Sequence, residues 1–307
     1  MHTIEIPENN KKITLPECWE ECTREESDYI LKRAFEVVSG QIDIPTFRVF
    51  IFAHLTGFQI TPGYYVTKRL ARDHHEEINA NIYRLAEQLC NWPFSAAPDV
   101  DGEPTKQELN INTVKNLLSI ITVGDKTLYG PADVLGDLTF GEFRAAIREM
   151  DAHIAAAKDP DTASEALDAI NRFMAVLYRP GINQRRTPFN ANEIGNYTEL
   201  TKKIPLWQKQ ATLLWYSYCI KYIQTEDIII DAQTINLSVL FPKSTGGIGT
   251  AKKGIGWAGL LFDVAKEGIF GDAEKTDKAG LFDILIYLYK NHHDNKETER
   301  KLKKRKK

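Results

Sequence analysis

The sequence has few cysteines, only four among its 307 residues. Cys18 and Cys22 lie four positions apart, and no second pair of cysteines or histidines stands at the spacing of a zinc site. Cys90 and Cys219 lie in apolar surroundings, as small core residues do. These features argue against a disulfide framework and a structural zinc site, and they predict reduced thiols.

Long apolar runs are also missing. No run reaches the roughly 18 residues that a membrane-spanning helix needs, and the polar start MHTIEIPENNKK does not resemble a secretory leader. A net charge of −3 gives no general attraction to nucleic acid or to anionic membranes. We therefore expect a soluble protein of the cytoplasm that does not bind membranes.

Nucleotide-binding motifs are incomplete. A literal G-x-G-x-x-G runs from Gly254 to Gly259, but Lys252-Lys253 precede it and too few residues follow to build a dinucleotide fold. Gly249 and Gly254 have the spacing of a phosphate loop, yet Ile255 stands where lysine is required. We interpret this stretch, residues 245–259, as a loop leading into a helix.

Motifs for metal ions and acyl transfer are absent as well. His74-His75 and His292-His293 are neighbours, and adjacent helical residues point about 100° apart, so neither pair can share an ion from one helix face. The chain has neither H-E-x-x-H nor G-x-S-x-G. We predict no catalytic residues, no cofactor and no metal, and we leave open an active site assembled from distant residues.

The sequence does contain signals for the start of helices. Thr23 and Thr139 each stand three residues before a glutamate, at the opening of an apolar periodic run, and Thr162 repeats the pattern. This capping box satisfies backbone N–H groups of the first helical turn. The stripes after Thr139 and Thr162 predict two helices that pack as an antiparallel pair.

The whole pattern predicts a mainly α fold of helical pairs, with little β structure. Short strands at 3–6 and 12–15 predict an N-terminal β-hairpin, and Gly124-Asp125 between β-prone runs predicts a second hairpin near residues 120–129. We expect a short helix at 114–118 and a long loop at 182–203. We predict an N-terminal helical domain with its β-hairpin at 1–95, a linker with the second hairpin at 96–128, a C-terminal helical domain at 129–295 and a basic tail at 296–307.

Two groups of residues are candidates for binding. The first is aromatic and could serve either a core or a partner surface: Trp207, Trp215, Tyr218 and Phe189. The second is basic, and with Lys252, Lys253, Arg185 and Arg186 it could contact phosphates: Lys301, Lys303, Lys304 and Arg305. The tail could equally be the solvated end of the last helix.

Several short stretches carry a resemblance to known proteins: ITLPECWEECT at 13–23, LYGPAD at 128–133, LGDLTFGEF at 135–143, AVLYRP at 175–180 and LFDVAKEGIFGD at 261–272. Together they resemble a loose family of tailed-phage and prophage proteins that are encoded among tail and virion-assembly genes. The opening pattern, with a short strand, Leu-Pro, Trp and then a helix, is similar to tail-assembly chaperones. Cys18 and Cys22 depart from it.

The resemblance implies a non-enzymatic protein that contacts other phage structural or tail-assembly proteins in the cytoplasm of a bacterial host or in the virion. Helical partner segments would dock into apolar grooves between helix pairs. Two alternatives stay open. One is a nucleic-acid-associated protein that uses the basic tail, and the other is an enzyme with a dispersed active site.

Overall fold

The structure is a computed structural model that describes residues 1–6, 11–57, 75–96, 107–182, 185–230, 233–241 and 257–305. The fold is mainly α, with small antiparallel sheets, as predicted. Residues 97–106 of the predicted linker at 96–128 and most of the Gly-rich stretch 245–259 lie outside the described residues. The chain divides into two compact units, Met1–Leu118 (unit 1) and Ser119–Lys307 (unit 2).

The described part of unit 1 combines two antiparallel strand pairs with three α-helices. Its elements are β1 (His2–Ile6), β2 (Lys11–Leu15), α1 (Arg24–Val38), α2 (Ile44–Thr56), α3 (His75–Leu89), β3 (Phe94–Ala96) and β4 (Gln107–Leu109). The N-terminal hairpin is confirmed, because β1 pairs antiparallel with β2. The buried Trp19 anchors this unit, since its indole N–H donates to the carbonyl of Asn110 at 2.8 Å. The predicted helix at 114–118 is wrong, because the chain forms bends and a turn there.

Unit 2 holds most of the helices. Its elements are β5 (Ile120–Val123), β6 (Lys126–Tyr129), α4 (Phe140–Ala156), α5 (Ala163–Leu177), β7 (Arg179–Ile182), β8 (Arg185–Arg186), α6 (Ile194–Thr201), α7 (Leu206–Thr225), β9 (Asp227–Ile230), β10 (Gln233–Asn236), α8 (Trp257–Lys266), α9 (Ala273–Lys278) and α10 (Leu281–Arg305). None of the helices in the described part of the chain is long and apolar enough to cross a membrane.

Helices α4 and α5 form the predicted antiparallel pair. Near one end, His153 Nδ1 lies 2.8 Å from the carbonyl oxygen of Ala166. Farther along, Arg172 donates to Glu149 at 2.7 Å. The residue numbers fall on one helix as they rise on the other, so the two helices run in opposite directions. Helix α7 completes this core, where the Tyr216 hydroxyl donates to the carbonyl of Phe143 at 3.2 Å.

The helix starts follow two of the three predicted capping boxes. Thr23 and Thr139 each accept from the backbone of the third helical residue, and the glutamates there accept from the threonine N–H. The third box is wrong, because the Thr162 hydroxyl donates to the carbonyl of Ala156 at 2.7 Å. A 3₁₀ turn at Pro160–Thr162 leads directly into α5 and takes the place of a cap.

A four-stranded sheet with the order β5-β6-β7-β8 follows the predicted hairpin at 120–129. The third strand, β7, begins where α5 ends and pairs with β6. The predicted long loop at 182–203 is wrong, because this segment contains β8 and α6. Its polar side chains suggested a loop, but they include Arg186, which this sheet buries against α4.

The first turn of α4 is held from a second side. The backbone N–H of Phe140 donates to Ala279 at 2.9 Å, and the N–H of Leu281 donates to Leu138 at 2.8 Å. These bonds place the junction of α9 and α10 beside the start of α4. The sheet and α9 therefore both meet the N-terminal turn of α4.

Candidate functional site

The aromatic candidates divide between the core and the surface of unit 2. Trp215 is only 3% exposed, so it packs in the core and is unable to form part of a surface. Trp207 and Tyr218 are half-buried on α7, and the Tyr218 ring lies 6.3 Å from that of Tyr222. Phe189 lies elsewhere, in the wall of a cleft. The structure therefore does not bring the four candidates together.

The basic candidates lie on the last turns of α10. Lys301 is paired with Glu297 at 2.7 Å, and Lys303 and Lys304 are exposed. The side chain of Arg305 lies outside the described residues. Arg186, suggested as a phosphate contact, is 6% exposed and paired with acidic groups, so that suggestion is wrong for this residue.

A cleft of about 1260 Å³ opens in unit 2 between the sheet, the first turn of α4 and α9. The residues that line it are Ser119, Ile120, Tyr129 to Ala132, Asp137, Thr139, Glu142, Arg179, Arg185 to Ala191, Glu274, Asp277 and Lys278. Its lining includes no histidine and no cysteine among the described residues. Across all the described residues, no group of three or more His, Cys, Asp or Glu side chains is placed to bind a metal ion.

Arg179 forms the floor of the cleft. Its side chain is 2% exposed and donates through all three nitrogens, to the carbonyls of Thr187 and Val176 and to Glu142. Burial lowers the pKa of the guanidinium, while the carboxylate of Glu142 opposes that effect. The guanidinium also lies 5.6 Å from the ring centre of Phe189, within range of a cation–π contact.

Proline at the next position explains one of these bonds. In the pairing of β7 with the segment after β8, the Thr187 N–H donates to the carbonyl of Pro180 at 3.0 Å. Proline has no N–H to return the bond, so the carbonyl of Thr187 needs another donor. The Arg179 Nε supplies it at 2.9 Å. The Arg179 side chain thus satisfies the Thr187 carbonyl, which Pro180 is unable to bond.

Glu142 joins this sheet to α4. One carboxylate oxygen accepts from the Thr139 N–H at 2.7 Å and closes the capping box. The other accepts from Arg179 and from Arg186, the latter at 3.4 Å. Buried charges persist only when they are paired and hydrogen-bonded, and Glu142, which is 2% exposed, meets that condition.

Two buried polar atoms of the cleft have no protein partner among the described residues. Arg186 pairs with Asp137 at 2.8 Å through one terminal nitrogen, but its Nε has no acceptor. The neighbouring Thr187 hydroxyl is buried and also lacks a partner. Both atoms are fully buried, so neither presents accessible surface to the open space of the cleft.

The carboxylates around the cleft are matched by cations. Asp277 accepts from Arg144 at 2.7 Å, and Glu274 pairs with Lys278 at 2.7 Å. Arg185 is exposed in the cleft and takes part in no ion pair with the described residues. The lining holds four Arg and Lys side chains and four Asp and Glu side chains, so its formal charges cancel.

No pattern in the sequence marks Glu142 and Arg179 as members of a site. The sequence patterns include Glu142 only as a helix cap and within the stretch LGDLTFGEF, and Arg179 only within the stretch AVLYRP. The available signal was an arginine directly between a fully apolar helix end and Pro180-Gly181. A charged residue there needs a buried partner, but the sequence does not show which carboxylate supplies it.

The comparisons with known proteins add no relative. No family model, no curated protein and no solved structure matches the chain.

Proposed function

We propose that this protein is a non-enzymatic binding protein of tailed phages or prophages, which acts through protein–protein contacts in virion or tail assembly. The site of contact in this proposal is the cleft of unit 2. The phage assignment comes from the resemblance of the short sequence words. The cleft supports the binding part.

The observation that carries the proposal is the composition of this cleft. Its volume of about 1260 Å³ is larger than the roughly 300–1,000 Å³ that is typical of small-molecule pockets. Phe189 and Pro188 give it apolar surface, and its buried ion pairs form a fixed floor. Aromatic anchors beside a rigid polar frame suit the docking of a protein segment.

Site-specific photo-crosslinking in cells tests the proposal. A photoreactive amino acid in place of Phe189 is expected to give a covalent product with another polypeptide when the neighbouring assembly genes are co-expressed. The same group in place of Ile154 is the control, because that residue is also in unit 2 and is 44% exposed on the far end of α4. Equal products at both positions, or none at Phe189, would reject the cleft as the docking site.

A further inference from the structure

We propose that the exposed end of α10 binds the phosphate backbone of double-stranded DNA through a basic stripe, which consists of Lys296, Arg300, Lys303 and Lys304. This inference goes beyond the proposed function, because it concerns a second surface that shares no residue with the cleft. Three observations support it: the exposure of the helix end, the one-sided arrangement of its cations and the acidic charge of the rest of the chain.

The end of α10 is open to an incoming partner. Residues 293–304 are all exposed, so none of them is buried by the described part of the chain. At about 1.5 Å per residue this segment is a rod about 18 Å long. Lys301 pairs with Glu297 at 2.7 Å, whereas the four cations of the basic stripe take part in no ion pair with the described residues. They are therefore available to an anionic partner.

The spacing of these four cations places them on one face of the helix. After Lys296 they follow at intervals of four, three and one residues. With about 100° between neighbouring residues, all four lie within an arc of about 100°. Glu297 and Glu299 border this arc on opposite sides, so no carboxylate lies within it. The end of α10 therefore presents a continuous row of positive charge.

The charge of the whole chain hides this local excess. Residues 296–307 contain eight Lys and Arg and two Glu, a net charge of +6, and the net charge of −3 for the chain therefore leaves −9 on the other residues. An acidic surface repels a polyanion. The attraction for a polyanion is thus confined to this end of the chain.

The composition of the segment selects DNA among anionic partners. Protein interfaces rely on apolar and aromatic anchors, and a membrane-surface helix needs an apolar face. In residues 293–304 the only large apolar side chain is Leu302, which lies on the side opposite to the basic stripe. A phosphate backbone needs no such anchor, because the release of counterions drives its binding.

The shape of the segment favours a DNA duplex over other nucleic acids. A helix about 10–12 Å in diameter fits the major groove of DNA, which is about 12 Å wide. The major groove of duplex RNA is deep and narrow. Single strands are bound by stacking on aromatic rings, and residues 293–304 contain no Phe, Tyr or Trp.

Fluorescence anisotropy of a labelled DNA duplex, measured with the full chain at several salt concentrations, tests the inference. Four phosphate contacts predict a slope of log K on log salt concentration of about −3.6, so binding should be about 150-fold weaker at about 200 mM than at about 50 mM salt. Replacement of all four stripe cations by glutamine should reduce the magnitude of the slope by about 3.6. The matched control replaces four exposed lysines elsewhere in unit 2 by glutamine and should reduce it by less than about 0.9: Lys126, Lys158, Lys203 and Lys221.

Two neighbouring positions separate the stripe from net charge. Arg300→Gln removes one stripe cation and should reduce the magnitude of the slope by about 0.9. Lys301→Gln removes the same charge from a position about 100° away, where Lys301 is paired with Glu297, and should leave the slope unchanged. Glutamine has a helix propensity close to that of lysine and arginine, so circular dichroism should show the same helix content in every variant.

The other outcomes overturn the inference. A flat salt dependence, equal losses in the two fourfold variants, or equal effects of Arg300→Gln and Lys301→Gln would reject the basic stripe as a DNA contact. A polyglutamate peptide that competes with the duplex at equal charge would replace DNA by an acidic protein. Binding to phosphatidylserine vesicles without binding to the duplex would replace it by a membrane surface. Crosslinking at Phe189 is independent of all these results and tests the docking function separately.

Discussion

Glu142 has two roles: it closes a capping box and it pairs with buried arginines. In α1, Glu26 closes the capping box of Thr23 and no buried arginine is bonded to it among the described residues. In α4, Glu142 closes the equivalent box and also neutralises Arg179 and Arg186. The two glutamates have the same place in the helix, so a comparison between them separates the cost of the cap from the cost of the buried charge.

Glu142→Gln is expected to destabilise unit 2 by about 3 kcal/mol, because it leaves the buried Arg179 guanidinium without a carboxylate among the described residues, whereas Arg186 keeps Asp137. Glutamine still serves in a capping box, so the cap itself should survive. Glu26→Gln, the matched control, should cost less than about 1 kcal/mol. Urea unfolding followed by circular dichroism measures both variants. Equal losses would show that the buried ion pairs contribute nothing beyond the cap.

The cysteines differ in their reactivity because of burial. Burial raises the pKa of Cys22, Cys90 and Cys219 to about 12, and it also raises the pKa of Cys18, which is half-buried and so more accessible to a reagent than the other three. The thiolate is the reactive form, and a pKa near 12 leaves about one thiolate in ten thousand at pH 8. Iodoacetamide at pH 8 should therefore modify Cys18 first, as peptide mass spectrometry of the alkylated chain can show.

The same shifts predict how stability depends on pH. The three buried thiols stay protonated in the folded chain, while in the unfolded chain they lose their protons above about pH 8.5. The folded state then binds more protons, so these groups lower the free energy of unfolding as the pH rises from about 9 towards 12.

For the alkylation experiment, modification of Cys219 as fast as that of Cys18 in the native chain would contradict the predicted difference in reactivity. In urea, all four cysteines should react alike.

At the scale of elements, β7 depends on a glycine that allows close contact. A Cβ atom on Gly181 would lie 2.3 Å from Cδ2 of Tyr129 and 2.6 Å from the carbonyl oxygen of Arg185. Both β6 and β8 therefore approach this position more closely than a side chain allows. The strand that carries Arg179 into the cleft is held in place by this contact.

Gly181→Ala should destabilise unit 2 by about 1–3 kcal/mol, since the alanine methyl group forces the Tyr129 ring and β8 outward. Gly195→Ala is the matched control, because nothing lies within 4 Å of a Cβ there and alanine favours the helix α6. It should stabilise by up to about 1 kcal/mol. Thermal unfolding compares the two variants, and a neutral effect of Gly181→Ala would show that β6 and β8 can separate at no cost.

Local signals predicted the elements that local chemistry determines. Capping threonines, apolar stripes and the Gly124-Asp125 turn gave the start of α4, the α4–α5 pair and the hairpin of β5 and β6. Short elements in polar sequence were missed, because β8 has only two residues and exists through its pairing with β7. The cleft was missed for the same reason: Glu142 and Arg179 meet only after α4, α5 and β7 have packed.

At the scale of the whole chain, each unit builds its own core. Trp19, Ile30 and Phe47 are buried within unit 1, and Phe140, Phe173 and Tyr216 are buried within unit 2. A contiguous apolar core of its own is what allows a domain to fold independently. The cleft is lined entirely by residues of unit 2.

Expression of residues 1–118 and 119–307 as separate fragments should therefore give two folded proteins. The buried aromatic rings of unit 2 lie on α4, α5 and α7, which all belong to fragment 119–307. This fragment should therefore keep its helical circular dichroism and unfold cooperatively. It should also reproduce the loss of stability caused by Glu142→Gln in the full chain, since all partners of that carboxylate lie in the same fragment. A fragment that unfolds without cooperativity, or that is insensitive to Glu142→Gln, would show that unit 2 requires unit 1 to form the cleft.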